Sequence, residues 1–363
     1  MDILSFFSTL ATPSAEMFLA PQRTWVFVVG VLHFKANDSF ESFPTANRRD
    51  TQLVQFFKSQ GVPGDQIIAL YDEAATHEEI GQSLVSLLHR AAPGDALFLY
   101  YTGHGYRENS EDAFFTAYDT GEDVPGWSIN SICPLIARYF LGDKAFLAAD
   151  CCNSGYLAEV VQQQQGRVNY ACVTSSSARE LSTGHWTFSD CLLDALHGEP
   201  YIDLNQDGMI TLDEFAAYAR DEMALAEEQH ASFGTTAGFP LTMALATAKP
   251  RPATPIGERV KVKYENEWFA GRVVATEGQQ WQVRYIGYDD PADWFDSQDK
   301  NALRQLKVAP GFAVGTLIDV KWQGEWYPAR VMETENGVHL VHYTGYDHSW
   351  DEWVPSKRIR VPK

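Results

Sequence analysis

Two residue types able to do covalent chemistry stand at the ends of two apolar runs. Ala96 to Tyr101 (ALFLYY) leads into Thr102-Gly103-His104-Gly105, and Lys144 to Ala149 (KAFLAA) leads into Asp150-Cys151-Cys152-Asn153-Ser154-Gly155. A thiol attacks a carbonyl as its thiolate, and a neighbouring imidazole activates it or polarises the substrate. Glycine around His104 and at Gly155 lets a substrate backbone come close. The backbone N–H groups of Gly105 and Cys152 are candidates for holding an oxyanion. All of this requires that His104 and a cysteine 48 residues later meet at one place.

The elements that would bring them together are strands of one sheet. Continuous apolar runs of this length suit strands covered on both faces, and ligands of such sheets sit at the carboxyl ends of the strands. Thr24 to Val31 reads as a further buried strand, Thr45 to Ser59 as a helix with Leu53, Val54, Phe56 and Phe57 on its core face, Gln66 to Leu70 as a strand and Thr76 to His89 as an amphipathic helix. Residues 106–130 read as a long acidic loop, Ser131 to Phe140 as a helix, Tyr156 to Arg167 as a solvated linker, Tyr170 to Thr174 as a strand, His185 to Leu196 as a helix and Gly238 to Ala246 as the final strand. The alternation predicts an α/β domain over 24–248, with a mostly parallel central sheet and helices on both faces. An apolar segment, 1–23, precedes it and is expected to pack on the domain as a short helix.

The two motifs, in this order and at this spacing, resemble those of the caspase–metacaspase clan of cysteine peptidases: S/T-G-H-G after one strand and D-x-C-x-S-G after another. The resemblance implies a caspase-like fold with Cys152 as nucleophile, Cys151 as its neighbour, His104 as its partner and Gly105 at the oxyanion hole. Asn153 stands where metacaspases carry His. Caspases that cut after Asp carry Gln where this chain has Asp150, whereas metacaspases carry Asp and cut after Arg or Lys. A carboxylate at the bottom of a pocket favours a cationic side chain, so the expected substrates are proteins or peptides with Arg or Lys before the scissile bond. Asp50, in Asn47-Arg48-Arg49-Asp50, is a second candidate for that pocket, and Ser175 and Ser176 are candidates for the substrate wall. Arg167 falls where caspase relatives are processed between subunits, which implies an enzyme held latent until a processing event, with an upstream protease as a possible activator. The resemblance also implies a prokaryotic setting in regulated death or defence. Two rivals stand beside this reading: a peptidase of the same clan with another specificity, such as Asn, and a catalytically silent caspase-fold protein that only binds partners.

Asp203-Leu204-Asn205-Gln206-Asp207-Gly208-Met209-Ile210-Thr211-Leu212-Asp213-Glu214 fits the twelve-position EF-hand loop. Side-chain oxygens fall at Asp203, Asn205, Asp207, Thr211 and Glu214, Met209 offers its carbonyl and Gly208 makes the turn. Ca²⁺ is therefore the expected cofactor, and no organic cofactor is implied. Calcium is a second candidate trigger of activity.

Lys249 to Ile256 is a proline-rich linker. Beyond it the chain repeats, without gaps, at a period of 58: Gly257 matches Gly315, Val262 matches Val320, Trp268-Phe269 matches Trp326-Tyr327, and Tyr285-Ile-Gly-Tyr-Asp matches Tyr343-Thr-Gly-Tyr-Asp. Short alternating strands predict two small antiparallel barrels, 257–308 and 315–363. Both resemble Tudor-like modules of the chromo-barrel or Tudor-knot type. Seven of the ten tryptophans lie here, enough to populate a surface cage as well as a core. Aromatic cages hold quaternary or methylated ammonium groups. Trp326, Tyr343, Tyr346 and Trp350 are the cage candidates of the second copy, while the first has Ala292 in place of Trp350. A protein ligand is the expected partner of the barrels.

Composition narrows the setting. Five cysteines without framework spacing, in a chain this long, favour free thiols and a reducing, cytoplasmic compartment. No apolar run is long enough to span a membrane. Residues 251–363 hold 15 Lys+Arg and 16 Asp+Glu, leaving 13 and 32 in the first 250 residues, which thus carry −19 of the net −20. Such an acidic face repels nucleic acid and favours cations or basic peptides.

Overall fold

The computed structural model describes residues 16–35, 39–109, 111–178, 184–253, 255–306 and 311–362. The α/β domain is built on six strands: β1 (Thr24–Gly30), β2 (Ile67–Tyr71), β3 (Ala96–Thr102), β4 (Lys144–Asp150), β5 (Asn169–Thr174) and β6 (Ser232–Thr235). Their order is β2-β1-β3-β4-β5-β6. The first five are parallel and β6 closes one edge antiparallel to β5. β1 and β3 are buried at every position, as their unbroken apolar runs require. Two cores result, one on each face. Helices α2 (His77–Leu88), α3 (Ile129–Tyr139) and α4 (Gly155–Gln162) cover one face through Leu84, Ile132 and Leu157. Helices α1 (Arg49–Ser59), α5 (Thr187–Leu196) and α6 (Leu212–Glu222) cover the other through Phe57, Leu192 and Phe215.

Three expectations are corrected. The stretch after Gly155 is not a solvated linker: α4 buries Tyr156, Leu157, Ala158, Val160 and Val161, and solvent is reached mainly from Gln162 onward. The acidic loop after His104 contains three short strands, Gly105–Arg107, Ala113–Phe115 and Trp127–Ser128, because Phe115 stacks on Tyr101 with ring centroids 4.2 Å apart. The last sheet position belongs to Ser232–Thr235, not to the stretch 238–246. Gly234 is what permits it, since a Cβ there would lie 2.4 Å from the Ala158 carbonyl oxygen of α4. Ala244–Thr247 pairs instead with Met209–Thr211. Of the N-terminal segment, residues 1–15 lie outside the described residues; Phe18 packs on Phe146 and its N–H bonds the Ala244 carbonyl.

The repeat yields two five-stranded antiparallel sheets, each curled around its own small core. Core residues recur at the period of 58: Val260 and Ile318, Val262 and Val320, Val273 and Val331, Val283 and Val341, Tyr285 and Tyr343. The first hairpin turns on Glu265-Asn266 and its copy on Gln323-Gly324, all four with positive φ, the geometry that matches strand twist in a two-residue turn. Both barrels rest on the α/β domain. In the first, Arg272 pairs with Glu222 at 2.7 Å and Arg284 with Asp194 at 2.6 Å. In the second, Trp353 stacks on His230 at 3.8 Å and Glu335 meets Arg220 and His230.

Candidate catalytic groove and accessory sites

Register brings the two motifs together. Thr102 and Asp150 are opposite each other at the ends of β3 and β4, so His104 and Cys152, each two residues further, leave the sheet at one edge. Both line a groove of about 300 Å³. The chain turns at Gly103, with φ +149°, where a Cβ would lie 2.8 Å from the Val31 carbonyl oxygen. A Cβ at Gly105 would lie 2.0 Å from the Cys152 carbonyl oxygen, so only glycine lets the strand after His104 pass this close to the cysteine loop.

His104 is held on three sides. Its ring packs against Phe34, Phe40 and Phe43, with centroids at 5.0, 5.7 and 4.5 Å. Its Nε2 lies 2.8 Å from the Glu41 carbonyl oxygen. A carbonyl only accepts, so Nε2 carries the proton and Nδ1 is the basic nitrogen. The backbone carbonyl of Glu41 is a positioning group that sequence reasoning missed, because a main-chain acceptor has no side-chain signature.

The five cysteines divide sharply. Burial pushes Cys133 up to about 12, and Cys151, Cys172 and Cys191 well above the ordinary thiol value. Those four stay protonated and inert. Cys152 is the one partly exposed cysteine, and the one on the groove. Ser175 and Ser176, expected in the substrate wall, are fully buried behind it. Ser175 Oγ accepts from Cys151 N at 3.1 Å, Ser176 Oγ accepts from Ser154 N at 3.2 Å, and Ser176 Oγ donates to the Cys151 carbonyl at 3.0 Å. They brace the loop that carries Cys152 and do not line the groove.

Asp150 lies on the groove and is 7% exposed. Ser189 of α5 donates to its Oδ2. Burial raises its pKa to about 6, against the hydrogen bonds from Ser189 and Ser175. The other pocket candidate, Asp50, is fully buried away from the groove lining. Its carboxylate receives Arg48 at 2.7 Å, so a cation of the chain itself already answers it. Arg167 is likewise engaged: its guanidinium donates to the Phe140, Leu141 and Gly142 carbonyls past the end of α3.

The twelve-residue loop has an oxygen-only donor set. Asp203 accepts from the backbone N–H of Asp207 and Gly208 at 3.1 and 3.0 Å, Asn205 from Asp207 at 2.8 Å, and Asp207 from Met209 at 2.9 Å. Gly208, at φ +88°, has open space where a Cβ would stand. Glu214 accepts from Leu204, Asn205 and Thr211 and closes a capping box on α6. An oxygen-only donor set is of the kind that suits a hard divalent cation, although among the described residues its carboxylates do not gather as a group of three within 4.8 Å of one another.

On the second barrel, Tyr343, Tyr346 and Trp350 lie side by side, with centroid separations of 6.3 and 5.5 Å. Trp326 does not join them; the Arg360 guanidinium lies 4.1 Å above its ring. Trp322 and Tyr327 take its place, 6.4 Å from Trp350 and 6.3 Å from Tyr343. Alternation explains the miss: Trp326 and Tyr327 are adjacent on one strand and point to opposite faces. Three further ligand-bearing side chains, His342, His348 and Asp351, gather within 4.8 Å of one another beside this cluster.

Residues 312–361 match the Tudor-knot family model. That family is described as the RNA binding activity-knot of a chromodomain. None of the curated proteins matches the chain. Among solved structures, a protein from Geobacter sulfurreducens is similar at 11% identity and TM-score 0.44, over 62% of this chain and 100% of its own. Caspase-1 from Spodoptera frugiperda is similar at 15% identity and TM-score 0.38, over 66% and 99%. Arabidopsis thaliana AGDP1 AGD34 is similar at 21% identity and TM-score 0.14, over 30% and 82%. The α/β domain is the mostly parallel sheet with helices on both faces that the sequence predicts, and His104 and Cys152 follow directly on the ends of β3 and β4. Among the described residues no helix is long and apolar enough to cross a membrane.

Proposed function

We propose that the α/β domain is a cysteine endopeptidase that cuts after Arg or Lys. Fold alone does not carry an activity. The observation that carries this one is the groove on which His104, the partly exposed Cys152 and the carboxylate of Asp150 stand together. His104 Nδ1 takes the Cys152 thiol proton. The thiolate sulfur then adds to the scissile carbonyl carbon, and the carbonyl electron pair moves to oxygen, facing the backbone N–H groups of Gly105 and Cys152. The C–N bond breaks as His104 gives its proton to the leaving amine. Water, giving a proton back to His104, splits the resulting thioester and frees the thiol. Asp150 holds the substrate cation before the bond that breaks. Free cysteines fit action in a reducing cytoplasm.

The twelve-residue loop would hold Ca²⁺ through Asp203, Asn205, Asp207, Thr211, Glu214 and the Met209 carbonyl. A bound cation there supplies charge neutralisation for the three carboxylates and stiffens the start of α6. Calcium is thus a candidate trigger, with processing of the chain as the other. The expected signature is a rise of Tm with calcium that is absent in Asp203→Ala.

Fluorogenic peptides ending in Arg, Lys, Asn or Asp test the activity. Cleavage after Arg and Lys, abolished in Cys152→Ala, is expected. Its kcat/KM should fall as pH drops through about 6, where Asp150 takes up a proton and loses its attraction for the cation. Asp150→Asn should cost about thirtyfold or more. Undiminished cleavage by Cys152→Ala would exclude the mechanism and favour the silent binding protein.

A further inference from the structure

The catalytic groove is not walled by the α/β domain alone. Gly287, Tyr288 and Asp289 of the first barrel line it. Their loop is fixed from both sides. The Trp186 N–H bonds the Gly287 carbonyl at 3.2 Å, Asp289 pairs with Arg49 at 2.6 Å, and the Tyr288 ring lies 4.6 Å from that of His185. A buried ion pair, Arg272 with Glu222, and a half-buried one, Arg284 with Asp194, hold the barrel in this pose.

Tyr288 also lines a second cavity, of about 240 Å³, that belongs to the barrel itself. Its walls are Tyr264, Phe269, Tyr285 and Tyr288, with the carboxylates of Asp290 and Asp293 at the rim. The rings stand at right angles or nearly so: Phe269 to Tyr288 at 5.5 Å and 88°, Phe269 to Tyr285 at 6.0 Å and 88°, Tyr264 to Tyr285 at 6.4 Å and 75°. Such an arrangement presents several π faces to one point, which with adjacent carboxylates suits a cation. The absence of an aromatic at Ala292 does not empty it, because Tyr264 and Phe269 supply walls of their own. One ring therefore separates the groove that holds the nucleophile from a cavity built for positive charge.

We propose that this cavity is an extended subsite of the peptidase, taking the side chain of a second Lys or Arg of the same substrate while the first sits on Asp150. This rests on the peptidase reading above. It makes the preferred substrate a segment with two basic residues at a fixed separation, and makes the first barrel part of the enzyme's specificity. An extended peptide advances about 3.3 Å per residue, so a second cation one to five residues from the first spans the width of one tyrosine ring and its surroundings.

The test uses full-length protein carrying Cys152→Ala and labelled peptides with one Arg and a Lys, or an Ala in its place, one to five positions away on either side. The readout is the affinity ratio of the two-cation to the one-cation peptide by fluorescence anisotropy. At one spacing the ratio should be about tenfold, the scale of a partly desolvated cation–π contact with carboxylate support. It should fall to about one in Tyr264→Ala and in Asp290→Asn, the second being a surface change that spares the barrel's packing. A ratio of one at every spacing overturns the proposal. So does a raised ratio that both substitutions leave intact, since the second cation then binds elsewhere. If wild type cleaves none of these peptides while the ratio behaves as expected, the peptidase reading fails and the two-cation site stands.

Discussion

Arg272 of the first barrel and Arg330 of the second occupy the same place in the 58-residue repeat, and each donates to the glycine carbonyl fifteen residues earlier, Gly257 or Gly315. There the likeness stops. Arg272 is 2% exposed, lies 4.2 Å from the centre of the Tyr201 ring and pairs with Glu222 of α6, whereas Arg330 faces solvent. The local bond belongs to the barrel; the ion pair belongs to docking. The same division runs through both aromatic clusters. Tyr264, Phe269, Tyr285 and Tyr288 match Trp322, Tyr327, Tyr343 and Tyr346 position for position, yet Tyr288 lines the groove that holds Cys152 while its counterpart Tyr346 is 44% exposed. The duplicated module thus differs at one position, Tyr288 against the groove and Tyr346 toward solvent.

The comparison breaks most sharply at the paired arginines. Arg272→Ala leaves Glu222, itself 2% exposed, with Arg259 as its remaining cation. With Arg259 still paired to Glu222, the loss should be about 1.5–3 kcal/mol, the scale of a hydrogen bond to a charged group, whereas Arg330→Ala should cost about 0.5 kcal/mol or less. Thermal or denaturant unfolding of the full chain measures both, and equal losses would show that docking of the first barrel does not depend on this pair.

The glycines before Tyr288 and Tyr346 sharpen it further. Gly287 and Gly345 both have positive φ, +81° and +89°. Alanine at either pays the left-handed cost of about 1–2 kcal/mol. At Gly287 the new Cβ would also lie 2.2 Å from Thr187 Oγ1, while at Gly345 it meets nothing within 4 Å. Gly287→Ala should therefore add about 1–3 kcal/mol of overpacking and, by moving Tyr288, weaken peptide binding in the groove. Gly345→Ala should leave peptide binding alone. A groove indifferent to Gly287→Ala would detach the first barrel from it.

Much of this was legible in the sequence, for reasons that differ by region. Strands β1, β3 and β4 are covered on both faces, so their apolar runs declared themselves, and the motifs at their ends located His104 and Cys152. The repeat declared the barrels because identical spacing reproduces identical cores. What escaped depends on packing between distant segments. β6 carries a glycine and little apolar character, and its place follows from α4 lying against it. Asp50 looked like a free carboxylate until Arg48, two residues away, folded onto it. Ser175 and Ser176 stand at a strand end, as a substrate wall would, but brace the cysteine loop from behind. The docking of the first barrel had no local signal, since its arginines and the acids of α5 and α6 pair across 90 residues or fewer that no pattern links.

The smallest expected difference lies inside the barrel cores. Position 339 is a fully buried histidine in the second barrel, where the first has Trp281. His339 Nε2 accepts the Phe312 N–H at 2.8 Å, which holds the ring neutral, and burial lowers its pKa from the ordinary 6.5. The unfolded chain then takes up this proton at a higher pH than the folded one. Below about pH 6.5 the unfolded state binds more protons, so the second barrel loses stability as pH falls, until the folded ring also titrates. Residues 257–308 contain no histidine, so the first barrel should not respond over this range. Hydrogen exchange resolved by segment, between pH 7.5 and 5.5 and corrected for intrinsic rates, should show protection falling in residues 317–360 alone. His339→Trp, which copies the first barrel, should remove the response. If it does not, the acid sensitivity lies outside position 339, and the two cores differ less than their surfaces.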